Sequence, residues 1–399
     1  MRNKKILSKA VMKMKWINKL LIMIMAVLLV VPLENANSQT SVSLSQNLSY
    51  FSNSFYNSRQ LPDLNNNIGL TLSHIFAGEK IQSQLYYQGG LNLFQKYSDR
   101  FYHDHNLGYD GYAVNSDETK ILYFGGSLFW HDGQQDYNIY DNWKLQGYLN
   151  SKIYLRENLI CHFGYYLNNK NYSELPEFSY WEHLLFAQFN TYFQTRTSLT
   201  LAVNYGIKDY IPRMTPQGKG RRKQVIINYF EMPGVDQLVS NFKLAQSLGV
   251  KTSISIDYLN RLNPGLVGGS AAVIDNENLF TEDELFDDRY GYQGHELSVF
   301  LTHYFPGYVK FQLGGSRLWK NYQNRNIYDF EGNLALTGEN RVDDRLHGWL
   351  ELSRAFAMNR GIKSLSISLQ AGYLKNNSND SYYQFDNYFA AIGLDFKMK

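Results

Sequence analysis

The sequence predicts an all-β protein, a transmembrane up-and-down antiparallel β-barrel of about 16 strands, with 14 as the alternative count, behind a cleaved signal peptide. Three observations predict this class. Apolar and polar residues alternate in long segments, which gives each strand one apolar and one polar face. The alternation recurs along the whole chain, and the connections alternate between short and long. No other element is predicted for the apolar faces to pack against, which favours a sheet that closes on itself in lipid.

The first 38 residues have the organisation of a secretory signal peptide. Seven Lys or Arg residues precede an unbroken apolar run over residues 20–31. Ala36, Asn37 and Ser38 follow, with small residues where a signal peptidase cleaves, so cleavage is expected before Gln39. The alternative is a retained anchor, but the run is shorter than the roughly 20 residues that a membrane helix needs. Residues 39–399 then form the predicted barrel.

Composition and charge exclude several classes. A mean hydropathy of −0.40 excludes a bundle of membrane helices but suits barrel strands, which are half polar. The signal segment carries seven basic residues and one Glu, a net charge of +6, so its removal changes the chain from +3 to −3. This balance predicts no nucleic-acid partner. The single cysteine, Cys161, shares the parity of Leu159 and Phe163 and is interpreted as a small apolar side chain.

Sixteen segments have strand character. The clearest is the ninth, in which Leu199, Leu201 and Val203 alternate with Ser198, Thr200 and other small or polar residues. The fourth is the weakest. The segments lie near residues 40–52, 66–76, 80–95, 102–114, 120–131, 138–155, 159–169, 178–194, 198–210, 236–248, 252–262, 294–305, 308–320 and 344–357, with a closing pair within 362–397.

The connections sort by length. Short turns are predicted near residues 78, 116, 157, 196, 249, 306 and 360. Longer polar connections alternate with them, at 57–65, 132–137, 169–177, 211–235, 263–293, 321–343 and 376–383. Only the join near 97–101 is ambiguous. Short turns at one end of a barrel and long loops at the other are typical of up-and-down membrane barrels.

The end of the chain carries a further pattern. Tyr388, Ile392, Leu394 and Phe396 share one face of the last segment. With the sorted connections, residues 39–399 resemble a Gram-negative outer-membrane β-barrel protein of the porin-like kind, with no narrower family assigned. The resemblance implies outer-membrane location, contact with outer-membrane lipid and recognition of those four residues by the barrel-assembly machinery. The chain departs from the pattern where Lys397, Met398 and Lys399 follow the aromatic residue and where Ala391 replaces a common glycine.

The residues on the polar face of each strand are predicted to line a lumen. Charged candidates for that lining are Lys152, Lys208, Lys243, Asp257, Lys310 and Glu351, together with Asp110, Glu182 and Asp395. Two interpretations stay open: the charges line a water-filled conduit, or they pair with one another and fill the interior. About sixteen strands favour the conduit. The expected function is a pore or transport conduit for small solutes, without a plug domain.

Two other functions are carried as alternatives. One is a structural or secretion-associated barrel that binds a protein partner through its surface loops. The other is an outer-membrane lipid-modifying enzyme, which we do not expect. None of the nine His is followed two residues later by Ser, as in the barrel phospholipases, and no Gly-rich phosphate loop or zinc motif is found. The sequence therefore predicts no catalytic residue and no cofactor.

Each of three further clusters has two interpretations: a ligand site, or solvated surface residues without a ligand. His103 and His105 lie on one face of a strand and suit a metal, but no third ligand follows by spacing, so we expect rim residues and no metal site. Residues 219–223 are basic and suit lipopolysaccharide phosphates or an anionic solute, or form a solvated charge cluster. Residues 281–289 are acidic, but their spacing matches no calcium loop.

Overall fold

Sixteen antiparallel strands close into one barrel in the computed structural model, which describes residues 38–217, 226–230, 234–265, 289–327, 338–358 and 362–398. The predicted strand number is confirmed. The predicted signal segment, apart from Ser38 where the first strand begins, lies outside the described residues. Among the described residues, no helix is long and apolar enough to cross a membrane.

The barrel strands follow the chain in order. They are β1 (Ser38–Phe51), β2 (Asp63–Ala77), β3 (Ile81–Phe94), β4 (Tyr102–Val114), β5 (Lys120–Gly133), β6 (Asn142–Arg156), β7 (Leu159–Tyr172), β8 (Tyr180–Tyr192), β9 (Thr197–Tyr210), β12 (Val235–Ser247), β13 (Thr252–Leu262), β14 (Tyr292–Phe305), β15 (Val309–Asn326), β16 (Asn340–Ala357), β17 (Ile362–Ser378) and β18 (Phe385–Met398). Two further strands, β10 (Arg213–Gln217) and β11 (Ile226–Phe230), pair only with each other.

Closure joins the first and last strands. Ser43 of β1 lies opposite Lys397 of β18, and the pairing continues to Phe51 and Phe389. Between β9 and β12 the chain leaves the barrel through the β10–β11 hairpin and returns beside β9. The described barrel therefore has no sheet edge, and each strand's backbone groups pair on both sides, as a sheet in lipid requires.

The two ends of the barrel differ. A tight turn connects β2 to β3, and further tight turns follow at every second connection along the barrel. The start of β1 and the end of β18 lie at the same end of the barrel as these turns. Non-glycine residues with positive φ occupy several of them, including Glu118, Arg196 and Tyr308. In the β4–β5 turn the Thr119 hydroxyl donates to Asp117 (3.0 Å), which lowers the pKa of that carboxyl. We call this end the turn end.

Longer connections lie at the opposite end, which we call the loop end. The described parts of these connections contain five short 3₁₀ helices: Ser98–Arg100, Gln135–Tyr140, Pro176–Phe178, Arg289–Gly291 and Ser381–Tyr383. The first of them occupies the ambiguous join and places it with the loops. Most of the buried aromatic side chains also lie here, including a cluster of Tyr140, Tyr172, Phe178 and Tyr180.

Two predicted loops differ from the structure. Residues 211–235 were expected as a connection without strands, but they contain the β10–β11 hairpin. Residues 321–343 were expected as a loop, whereas β15 continues to Asn326 and β16 starts at Asn340. The reason is that apolar alternation reports contact with lipid. Strand pairing continues beyond the lipid boundary, where both faces are polar and the alternation disappears.

The outer face of the barrel is apolar and exposed. Leu201 on β9 is 46% exposed, and so are its two cross-strand partners, Phe189 at 46% and Phe242 at 41%. The same holds on other strands, for example Leu149, Leu185, Leu313 and Leu369. Contiguous apolar surface on this scale is rare on soluble monomers. The wall is therefore built to contact lipid, and the alternate residues point inward.

A candidate site in the barrel lumen

The predicted lining residues occupy the inward face by strand register. Lys243 lies opposite Asp257 on β13 and opposite Thr200 on β9. The Asn241 side chain donates a hydrogen bond to Asp257 (2.5 Å). Opposite charges therefore alternate with amides on this part of the wall.

The other four candidates are spread around the barrel. Lys152 lies opposite His162, with its ammonium over the Tyr154 ring (4.6 Å). Lys310 lies opposite Ser353. Glu351 on β16 pairs with Gln312 on β15 and with Gln370 on β17. Lys208 lies opposite Glu182. The structure thus brings Lys243 next to Asp257 but does not gather the six into one constellation, and their role as lumen lining stays a prediction.

Lys208 and Glu182 belong to a buried cluster at the loop end. Glu182 is 6% exposed and Lys208 is 3% exposed. The carboxylate accepts hydrogen bonds from the Tyr290 hydroxyl (2.7 Å) and from the Asn168 amide (2.8 Å), and it pairs with Arg289. The Lys208 ammonium lies over the Tyr180 ring at 4.1 Å from its centroid. Each charge therefore has a partner, as burial requires.

Arg289 and Tyr290 lie inside the barrel, against the inner face of its wall. They precede β14, yet Tyr290 contacts β8 and β9, on the far side of β12 and β13. A Cβ atom at Gly206 would lie 2.2 Å from the Tyr290 hydroxyl, so glycine makes room for this ring. Sequence reasoning missed both residues because they follow a long connection and belong to no periodic segment.

A cavity of about 330 Å³ adjoins this cluster. Its wall combines apolar side chains, such as Leu184, Val239 and Leu259, with Arg261 and Arg289. The Arg261 guanidinium donates a long hydrogen bond to the Gln237 side chain (3.3 Å). The segment Arg289–Gly291 therefore narrows the lumen without removing its free volume.

A second buried charge pair lies on β16. The Arg341 guanidinium pairs with Asp343 and lies between the rings of Tyr322 and Tyr383, at 4.4 Å and 3.3 Å from their centroids. Arg341 is 1% exposed and Asp343 is not exposed. Arg325 also contacts both rings and donates to the Tyr383 hydroxyl (2.7 Å). The loop end of the lumen thus combines cations with tyrosine faces, an arrangement that stabilises desolvated cations.

The connection between β1 and β2 packs against the connections between β3 and β4 and between β17 and β18 at the loop end. Arg100 lies 4.2 Å from the ring centroids of both Phe55 and Phe94 and donates to the Ser54 hydroxyl (2.7 Å). Burial lowers the pKa of this guanidinium to about 10. Asn53 and Asn57 are also buried, and Asn57 donates to the Tyr382 hydroxyl (3.2 Å). A cavity of about 320 Å³ lies beside this contact.

A further cavity, of about 1000 Å³, opens at the turn end. Three glutamates from successive turns line it: Glu79, Glu118 and Glu157. The inward rings of Tyr112 and Tyr123 form part of its wall. The described lumen therefore has free volume at both ends.

The two histidines with a metal interpretation lie on the outer face, not in the lumen. His105 is buried beside Trp130, at 4.7 Å between ring centroids, and hydrogen-bonds the Tyr87 hydroxyl (2.7 Å). His103 hydrogen-bonds His105 (3.1 Å) and approaches Asp132 (3.5 Å). No group of three or more His, Cys, Asp or Glu in the described parts of the chain is arranged to hold a metal. The basic residues 219–223 and the acidic residues 281–288 lie outside the described residues.

The four residues of the proposed assembly signal lie on β18. Tyr388 and Ile392 are 62% and 41% exposed on the outer face, and Leu394 and Phe396 share their parity. β18 pairs with β17 and with β1. Recognition by an assembly machinery stays a prediction.

Comparison with known proteins shows the fold. The chain is similar to the crystal structure of the outer membrane protein OprD from Pseudomonas aeruginosa, with 12% identity over 90% of this chain and 93% of that chain and a TM-score of 0.50. The chain has the fold of that outer membrane protein. The structure of Acinetobacter baumannii OccAB1 is similar to the same degree, with 11% identity, 91% and 96% coverage and a TM-score of 0.50. No family model matches the chain, and no curated protein matches it.

Proposed function

We propose that this protein is an outer-membrane channel for small hydrophilic solutes. The observation that carries the proposal is a closed barrel of sixteen strands with an apolar outer face and a polar inner face. Barrels of this size leave an aqueous channel. The shared fold with an outer membrane protein supports the location.

The distribution of charge on the inner face supports transport. Charges of both signs lie around the wall on different strands, such as Lys152, Lys243, Asp257 and Glu351. A distributed mixed lining suits a hydrated path with weak ion selectivity. The inward segment Arg289–Gly291 then sets the passage width on one side.

Two partners follow from the same proposal. The outer belt would contact membrane lipid, since Leu201 and its neighbours have no protein surface over them. Tyr388, Ile392, Leu394 and Phe396 would be read by the barrel-assembly machinery during insertion, with Lys397 and the two residues after it tolerated beyond the aromatic residue. Deletion of residues 397–399 should then leave insertion unchanged.

Single-channel recording tests the channel. Protein refolded in detergent and added to a planar lipid bilayer should give stepwise, ohmic conductance increases. Heat-unfolded protein at the same concentration is the control and should give none. A barrel that is folded by gel mobility and circular dichroism but never conducts would overturn the channel and leave the partner-binding barrel as the interpretation.

A further inference from the structure

An aromatic cavity lies in the lumen wall at the loop end. It has a volume of about 320 Å³. Asn65 lies opposite Phe94, and Tyr102 lies opposite Gly133. These residues face inward because their parity is opposite to that of the exposed Ile68, Leu91 and Tyr109 on the same strands. Residues of the connection between β1 and β2 and of the 3₁₀ helix Gln135–Tyr140 also line it. The cavity therefore borders the lumen near the loop end.

Most of the lining is aromatic. The rings belong to Phe51, Tyr56, Phe94, Tyr102, Tyr137 and Tyr140. They come from three strands and two connections, so they surround the cavity instead of stacking on one side of it. The face of an aromatic ring carries negative charge density and attracts polarised C–H bonds. Such a lining suits a flat ring with C–H groups on its faces.

The ionisable side chains Arg100 and His131 at the cavity already have hydrogen-bond partners within the protein. The Arg100 guanidinium donates to the Ser54 hydroxyl and to the Ser54 carbonyl oxygen (2.7 and 3.3 Å) and lies over the rings of Phe55 and Phe94. His131 hydrogen-bonds the Asp104 carboxylate (2.7 Å). These contacts hold both side chains in place within the protein. A ligand that bonds Arg100 or His131 would compete with them, whereas a neutral ring that packs on the aromatic faces leaves them in place.

Neutral polar groups complete the site. The Asn65 side chain and the Ser54 hydroxyl lie among the rings. A volume near the lower end of the roughly 300–1,000 Å³ of ligand pockets fits a ligand of about one or two rings. The aromatic faces can pack on the C–H groups of a ligand ring. The amide and hydroxyl groups between them can hydrogen-bond hydroxyl groups at the edge of that ring.

We propose that this cavity binds one ring of a neutral saccharide as the solute enters the lumen. The rings of Tyr102 and Phe51 pack on the sugar face, and Asn65 bonds its hydroxyl edge. The proposal rests on the proposed channel function, to which it adds a substrate class. It assigns the first contact of the solute to the loop end.

Current block by maltose tests the inference in the bilayer. Maltose added on the loop side of the open channel should reduce the current in a saturable way. Sorbitol, a polyol without a ring, should not do so at equal concentration, and neither should gluconate, which carries a charge. Tyr102→Ala should raise the half-blocking concentration of maltose roughly tenfold. Tyr102→Phe keeps the ring and should stay near wild type.

Tyr112→Ala is the matched control. Tyr112 lies on the same strand and the same inward face as Tyr102, but it lines the cavity at the turn end. Its substitution should leave maltose block unchanged, whereas equal weakening by both alanine variants would overturn the assignment to this cavity. Phe51→Ala replaces Tyr102→Ala if the latter does not reach the folded gel mobility.

Calorimetric titration of the detergent-solubilised barrel with maltose separates the two proposals. An open channel without maltose block and without binding heat would overturn the saccharide site and leave the channel standing. A closed barrel whose maltose binding still depends on Tyr102 would support the site and overturn the channel. Block by gluconate but not by maltose would show that the cavity takes anions and would overturn the inference.

Discussion

At the residue scale, parity along a strand decides which solvent a side chain meets. Leu201 is exposed on the outer face, while Thr200, one residue earlier, lies opposite Lys243 and donates to Asn190 (2.9 Å) on the inner face. The sequence predicted these faces because a period of two leaves no other arrangement once the strand is known. Neighbouring residues thus provide a test in which position and size are nearly matched.

Leu201→Arg should impair assembly strongly, since an arginine on the lipid face near the midplane costs about 2–4 kcal/mol. Thr200→Arg should be tolerated because its side chain enters a polar lumen, at the cost of one hydrogen bond. Heat-modifiability on a gel reports the folded fraction of each. Equal damage from the two substitutions would contradict the assignment of the faces.

The partners of inward residues were not predictable in the same way. Lys243 meets Asp257 because the β12–β13 turn sets the register between two strands that are each polar on one face. Arg100, Arg289 and Tyr290 lie in connections, where no period constrains a side chain. Their roles depend on how the loop end packs, which is a tertiary property. The sequence therefore predicted which residues face the lumen, but not which of them contact one another.

At the element scale, hydrogen bonds and an ion pair hold the segment Arg289–Gly291 to the wall, among them a bond from the Asn263 amide to the Tyr290 carbonyl (2.8 Å). Tyr290 donates to Glu182, Arg289 pairs with Glu182, and the Gln237 amide donates to the Arg289 carbonyl. Gly206 leaves the space that the Tyr290 ring fills. Removal of that space should release the segment while the barrel stays closed.

Gly206→Ala should displace Tyr290, because the new Cβ would lie 2.2 Å from its hydroxyl. A hydrogen bond to a charged group contributes about 1.5–3 kcal/mol, so exchange of backbone amides in residues 289–291 should accelerate at least roughly tenfold. Hydrogen exchange with mass spectrometry measures this. Gly147→Ala is the control, since a Cβ there meets nothing within 4 Å. Unchanged protection in Gly206→Ala would show that the segment is held by other contacts.

At the scale of the whole molecule, closure and orientation follow from an even strand count. The sixteen barrel segments were predicted because each one repeats the same two-faced pattern, and lipid contact imposes that pattern on every strand. The β10–β11 hairpin and the ends of β15 and β16 were not, since no lipid contact constrains them. An even count leaves both ends of the barrel chain at the turn end.

This orientation makes a prediction in cells. An exported barrel keeps its short turns in the periplasm and its long loops outside. An epitope near Asn276, in the longest connection but outside the described residues, should be detected on intact cells, as should one at the exposed Glu174 between β7 and β8. One inserted at Gly307, in the tight turn between β14 and β15, should be detected only after permeabilisation. The described tight turns all lie at one end of the barrel. Labelling of Gly307 on intact cells would therefore show that the whole barrel is inserted in the opposite orientation. The loop-end cavity would then face the periplasm, and the direction proposed for solute entry would be reversed.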